Sequence, residues 1–342
     1  MKLSYYDYEL PESCIAKYPT EVRGCSRLLV LDRKKGTLVD KKYFDMVDFF
    51  NEGDVLVIND TEVFKARLRV ERSDGAKREL IILEKHQYDD NWFRHRALYR
   101  GKLSVGDNLR VGKIELMVEE LLGGGVALIK SDRDLLELTK KFGEVPLPPY
   151  LRRSVVPDDV KRYQTIWAKS IGSVAAPTAS LNMTNEILNK LRDKGVIIEN
   201  ITLHVGLGTF LPIRVDKVEQ HKMHEEYFVV PETTIKTIQK AKVEHKKVFA
   251  LGTTVARTLE YNKIQILQNP PKEIKGEADI FIYPGYQFEV VDNLLTNYHA
   301  PKSTVLMLAA AFAGWDKLMP AYQHAIDCGY KFLSYGDSML IV

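Results

Sequence analysis

Apolar and polar positions change their period twice along this chain. Between residues 66 and 129 they alternate in short runs, Ala66–Val70, Glu79–Leu83, Trp92–Tyr99, Asn108–Val111, Ile114–Val118 and Val126–Ile129, separated by stretches rich in glycine, aspartate or asparagine. A period of two broken by such turn formers predicts antiparallel strands. Asn59–Asp60 bounds this stretch on one side and the proline cluster of Gly143–Pro149 on the other, where neither strand nor helix continues. Outside it, helical and strand periods alternate. Thr184–Asp193 reads as a helix with Thr184 as N-cap, a Met183/Leu188 staple and Gly195 at its stop. Val196–Val205 reads as a strand, Pro231–Lys242 as a helix opened by proline, and Val248–Leu251 as a buried strand leading through Gly252 into a helix near Thr254. The predicted class is α/β: a large discontinuous α/β domain, residues 1–60 and 150–342, carrying an inserted antiparallel β-barrel-like domain, residues 61–149.

One junction concentrates polar and turn chemistry. Asp279–Tyr283 has the β-branched and aromatic content of a strand, Pro284–Gly285 breaks it, and Val305–Phe312 is an apolar helix with Ser303 as N-cap and Gly314 as its stop. Asn297, Tyr298, His299 and Lys302 therefore sit beside a rigid element. Leu251-Gly252-Thr253-Thr254, between a strand and a helix start, offers backbone N–H groups and two hydroxyls to an anion, with Arg257 one turn on; a plain helix cap explains the same pattern. Thr202, His204 and Gly206 share one strand face, and Gly206-Leu207-Gly208 permits close approach of a ligand to the backbone. His204 is either a proton carrier or a hydrogen-bonded structural histidine. His221, His224 and Glu226 bunch in HKMHEEYF, which suits acid/base work; zinc would want a third ligand and a fixed second shell that the sequence does not show, so no metal is expected. Gly172–Thr178, including Ser173, packs small residues before a helix, for substrate approach or for core packing.

Composition narrows the class. With 45% hydrophobic residues in 342, the chain is an ordinary globular one, and its longest apolar run falls far short of a membrane span. No signal-peptide pattern opens it, so a cytoplasmic address is expected. Cys14, Cys25 and Cys328 are odd in number and lack CxxC spacing, which predicts reduced thiols. Net charge is only +3, yet residues 61–113 carry 13 Lys/Arg against 8 Asp/Glu. Within them Trp92–Lys102 interleaves Arg94, Arg96, Arg100 and Lys102 with Trp92, Phe93 and Tyr99, a pattern for phosphates and unstacked bases or for a solvated basic strand face. Arg152, Arg153 and Arg162 add a second basic group beside the prolines.

Ordered blocks run along the whole chain, among them LPESCIAKYPTEVRGCSRLLVLDR (Leu10–Arg33), GDVLVINDTEVFKARL (Gly53–Leu68), PLPPYLRR (Pro146–Arg153), GSVAAPTASL (Gly172–Leu181), HKMHEEYF (His221–Phe228), ALGTTVARTLE (Ala250–Glu260) and SYGDSMLI (Ser334–Ile341). Together they resemble the S-adenosylmethionine:tRNA ribosyltransferase-isomerase family of the queuosine pathway. The resemblance implies transfer and isomerisation of the S-adenosylmethionine ribosyl group onto 7-aminomethyl-7-deazaguanine at the tRNA wobble position, with no bound prosthetic group, no membrane and a monomeric enzyme. It implies a base at His204 or His224, assistance from Glu226 or Asp337, a purine flanked by Tyr283 and Tyr286, and a methionyl end held by Thr253, Thr254 and Arg257. Ser173, Thr178, Asn297, His299 and Lys302 complete the expected substrate site. Ser180, Asn182 and Met183 stand where that family usually has glycine, histidine and phenylalanine, and Tyr298 and Ala300 replace phenylalanine and leucine. Asn182 cannot exchange protons near neutrality. Two rival classes remain, a methyltransferase, for which the glycine-rich Rossmann opening is missing, and a non-catalytic RNA-binding module.

Overall fold

In the computed structural model, which describes the chain apart from Asp90, Leu207 and 209–212, the six alternating runs are six strands of a closed barrel. Arg67–Arg72, Lys77–Ile82, Arg94–Arg100, Asn108–Val111, Ile114–Gly123 and Val126–Ser131 pair antiparallel all the way round. Alternation explains the interior: Leu68, Val70, Leu80, Ile82, Ala97, Leu109, Leu116, Val118 and Ile129 fill it, while the intervening arginines point out. A helix not foreseen from the sequence, Leu135–Phe142, follows the barrel. Asp134 caps it by accepting from the Leu136 and Glu137 N–H groups, and Leu135 and Leu138 join the barrel core. The chain then returns beside its entry, since Glu144 bridges Arg67. Gly143 is required there because a Cβ would lie 1.9 Å from the Lys65 carbonyl oxygen.

The rest of the chain builds a nine-stranded mixed sheet. Its order is Ile274–Ala278, Glu226–Val230, Ile197–Leu203, Val55–Asn59, Val248–Leu251, Asn293–Asn297, Ser338–Ile341, Arg27–Asp32 and Thr37–Lys42. The four central strands, 197–203, 55–59, 248–251 and 293–297, are parallel, and the middle two, VLVIN and VFAL, are buried along their whole length as expected of strands covered on both faces. Helices Asn185–Asp193, Glu232–Val243, Thr253–Tyr261 and Thr304–Ala313 cover the sheet. Thr184 and Ser303 cap two of them as read from the sequence, accepting from Ile187 and Leu306, and Gly314 ends the last at φ +84°.

Two boundaries differ from expectation. Pro231 is the N-cap of its helix, one position before the first turn. The edge strand is Ile274–Ala278, and residues 279–283 leave the sheet instead of forming it, because Ile280, Phe281 and Ile282 turn inward against Met223 and Leu308. The Thr61–Val63 strand pairs with Ser170–Ser173, tying the start of the barrel segment to the sheet.

Candidate active site

Because the four central strands run parallel, their C-terminal ends face one way, and in open α/β sheets that is where ligands bind. The residues emerging there are Asn59–Thr61, His204, Gly252–Thr254 and Asn297–His299. Neighbouring antiparallel strands begin at the same end, which adds Glu226 and, just before Ser338, Asp337. Side chains 143 residues apart in sequence, such as Thr61 and His204, thereby meet.

A cavity of about 110 Å³ opens at this end. Thr178, Thr253, Thr254, Asn297 and His299 line it, with Gly252 and Ser334 among the remainder of its wall. Gly252, at φ +98°, is the N-cap of helix 253–261 and contributes no side-chain cap, so neither threonine is needed to explain the turn. Thr254 Oγ1 and Asn297 Oδ1 are buried and without partners among the described residues, which leaves two polar atoms and a helix N-terminus turned toward a guest. A smaller recess on the other side of Thr253 and Thr254 is walled by Met223, Arg257 and Phe281, so one residue of HKMHEEYF, Met223, stands behind the threonine pair.

His204 is almost fully buried. Its Nδ1 lies 2.9 Å from Thr61 Oγ1, which is 2.8 Å from Ser173 Oγ, and Ser173 accepts from the Val205 N–H at 2.7 Å. Its ring covers Gly172, where a Cβ would come within 2.6 Å of Nε2, so only glycine fits. Burial first, then Lys85 and His86, pushes His204 down to about 4, and it is neutral at pH 7. Burial alone pushes His299 down to about 3 while its Nε2 meets Thr296 Oγ1 at 2.9 Å. His224 is exposed and lies against Gly208. His221 packs edge-on against Phe281.

Glu226 and Arg257 pair with each other, both buried, and Glu226 also accepts from the Gly206 N–H at 2.9 Å. The pair thus holds the Gly206 turn against helix 253–261; Leu207 of that turn lies outside the described residues. Asp337 accepts from the Arg27 and Lys331 N–H groups at 2.7 Å each, although burial raises its pKa. Asn182, buried, donates to the Gly336 carbonyl at 3.0 Å and so fixes the turn that presents Ser334 and Asp337. Ser180 Oγ is buried without a partner, and Met183 is core.

Other expected residues lie elsewhere. Tyr286 donates to Glu260, at the far end of helix 253–261 and roughly 10 Å along its axis from Thr253. Tyr283 packs against Phe281, and neither tyrosine lines the cavity. Lys302 pairs with Asp7 at 2.7 Å, facing solvent. Of the basic residues, Arg94, Arg100 and Lys102 are exposed, Arg96 is partly covered, and Arg152 is exposed at φ +48°. Arg153 is not a surface cation: both of its terminal nitrogens bond the buried Asp159 at 2.7 Å. Arg162 donates to the Thr20 carbonyl at 2.8 Å. Sequence reasoning missed Asn59, Thr61, Glu84 and His86. Asn59 bonds the Leu203 backbone through both its amide groups, and Glu84 and His86 come from the barrel segment. Among the described residues no group of three or more His, Cys, Asp or Glu is placed to hold a metal ion, and no helix is long and apolar enough to cross a membrane.

Comparison with known proteins places the chain in a family. The family model described as "Queuosine biosynthesis protein" matches residues 3–341. The chain is 52% identical to the S-adenosylmethionine:tRNA ribosyltransferase-isomerase of Pelodictyon phaeoclathratiforme and 44% identical to that of Francisella tularensis subsp. tularensis, in each case over 100% of both chains. The crystal structure of the S-adenosylmethionine tRNA ribosyltransferase from Thermotoga maritima is similar with a TM-score of 0.57 and 31% identity, covering 98% of this chain and 99% of that one. The chain therefore belongs to the queuosine biosynthesis protein family, that of the S-adenosylmethionine:tRNA ribosyltransferase-isomerases, and is an enzyme of the transferase class.

Proposed function

We propose that this chain transfers and isomerises the ribosyl group of S-adenosylmethionine onto 7-aminomethyl-7-deazaguanine at the tRNA wobble position, giving epoxyqueuosine and releasing adenine and methionine. The observation that carries this reading is the cavity at the sheet end. Its two buried, unpartnered polar atoms beside an uncapped helix start suit a polar, partly anionic ligand end in an otherwise apolar wall. At about 110 Å³ it is smaller than the roughly 300 Å³ of pockets for whole drug-sized ligands, so it receives one end of S-adenosylmethionine. The methionyl carboxylate is the natural guest of the Thr253–Thr254 N-terminus.

The sulfonium acidifies the adjacent C5′ hydrogens, so a positioned base starts the reaction, and protonation of the purine eases departure of adenine. A general base works best with a pKa near the working pH. His204, pushed down to about 4, is a weak one and serves better as a neutral group oriented by Thr61 and Ser173. His224, exposed and set against Gly208, is the proposed base. Glu226 and Arg257 act through the Gly206 turn as positioning residues. Residues 61–149 form the RNA-contacting insert of a catalytic unit built from 1–60 and 150–342, with Arg94, Arg96, Arg100, Lys102 and Arg152 meeting phosphates, while Arg153 and Arg162 hold the loop from which Arg152 projects.

The test is incubation of the purified protein with S-adenosylmethionine and tRNA containing 7-aminomethyl-7-deazaguanine, following adenine and nucleoside mass together. RNA-dependent adenine release with epoxyqueuosine is expected. S-adenosylhomocysteine without adenine would replace the reading with methyl transfer.

A further inference from the structure

Tyr88 stands just past the barrel strand Lys77–Ile82, and 57% of its surface is exposed. An exposed tyrosine is ordinary; one braced from beneath is not. Its ring lies on that of His86, with centroids 5.2 Å apart and planes 24° from parallel, and the Arg96 guanidinium sits 4.9 Å from its centroid. His86 is itself buried and held at both nitrogens, Nδ1 at 3.0 Å from Glu277 and Nε2 at 3.4 Å from Glu84. Its N–H donates to Asp89 at 2.7 Å, and Gln87 N–H donates to the second oxygen of Glu277, also at 2.7 Å. Four hydrogen bonds thus fix a flat aromatic surface against the edge of the main sheet.

That surface adjoins the sheet-end site. Glu277 lies opposite Tyr227 in register, one position from Glu226, and Lys85 N–H donates to the carbonyl of Gly172, the residue under the His204 ring. A braced tyrosine beside Arg96 has the two properties that single-stranded RNA recognition uses, a π face for a base and a cation for its phosphates. We propose that Tyr88, on its His86–Glu277 brace, is a stacking platform for an unpaired nucleobase of the RNA substrate beside the reacting one. The proposal rests on the function proposed above and names a binding position for it. Tyr88 binds; it takes no part in proton transfer.

The experiment uses the full chain and an anticodon stem-loop RNA carrying 2-aminopurine at one loop position at a time. With the wild-type protein, fluorescence at one position is quenched on binding. Tyr88→Ala should abolish that quenching and weaken RNA binding roughly 5- to 150-fold, the range for losing one stacked base. Tyr88→Phe should retain both, and affinity for S-adenosylmethionine without RNA should stay within about twofold in both variants, as expected for an exposed position away from the cavity. Wild-type RNA affinity and quenching in Tyr88→Ala, or an equal loss of S-adenosylmethionine affinity, overturns the platform while leaving the proposed function standing. Failure of the wild-type protein to bind RNA overturns both.

Discussion

At the sheet end, Glu226 and Arg257 meet with 3% and 8% of their side chains exposed, and Arg153 and Asp159 with 9% and 1%, whereas on the barrel Arg69, Arg94, Arg100 and Arg110 remain 57–73% exposed while touching Glu79, Glu119 and Glu71. Buried pairs hold one geometry, because losing either partner strands a charge in a low dielectric. Exposed pairs contribute little to folding and exchange partners readily, so the barrel arginines are available to phosphates without loss of structure. One region fixes positions and the other offers charge.

Breaking the buried pair should have the largest effect. Arg257→Met removes the guanidinium paired with the buried Glu226 carboxylate and should lower stability by about 3–5 kcal/mol, read from urea unfolding. Adding Glu226→Gln should recover much of that loss, and a loss of similar size from a barrel substitution such as Arg100→Ala would erase the distinction.

Acid should come next. His204 and His299 are held at about 4 and about 3, below the ordinary 6.5, so between those values the unfolded chain binds protons that the folded one does not. Stability from these groups is therefore present above pH 6.5 and is lost as pH falls, by up to about 2 kcal/mol each at pH 5. His299→Gln should flatten the profile of unfolding free energy over pH 5–7; an unchanged slope would show that its burial does not govern its titration. His86 works in the opposite sense. Burial tends to lower it, but the bonds to Glu84 and Glu277 prevail and raise it, so its contribution is present at low pH and fades as pH rises through its folded value.

The smallest effect on folding should come from the barrel surface. Arg100→Ala should change stability by less than about 0.5 kcal/mol and reduce the slope of log RNA affinity against log salt by about one. A stability loss without a change in salt slope would assign Arg100 to structure.

Much of the fold was legible because it rests on local periodicity. The six barrel runs, the Thr184 and Ser303 caps and the Gly314 stop each depend on residues within one or two turns of each other. The strand expected at Asp279–Tyr283 was not, because its apolar residues serve a recess beside Met223 instead of the sheet edge. In the candidate site, Thr178, Thr253, Thr254, Asn297 and His299 do gather around one cavity. The Thr61–His204 contact and the His86–Glu277 brace were invisible, since they join segments 143 and 191 residues apart through polar groups that leave no period. Arg153 looked free only because Asp159, six residues on, needs the intervening turn to reach it.

The central claim is that S-adenosylmethionine binds at the sheet end and RNA on the barrel. Thr254→Val tests it most directly. Thr254 Oγ1 has no partner among the described residues, so removing it should leave the unliganded fold as stable or more stable. Calorimetric titration with S-adenosylmethionine should show Thr254→Val binding roughly tenfold more weakly than the wild type, the loss of about one hydrogen bond to a charged group, with Arg100→Ala unchanged. Equal affinity in Thr254→Val and the wild type, or a loss confined to Arg100→Ala, would contradict the assignment.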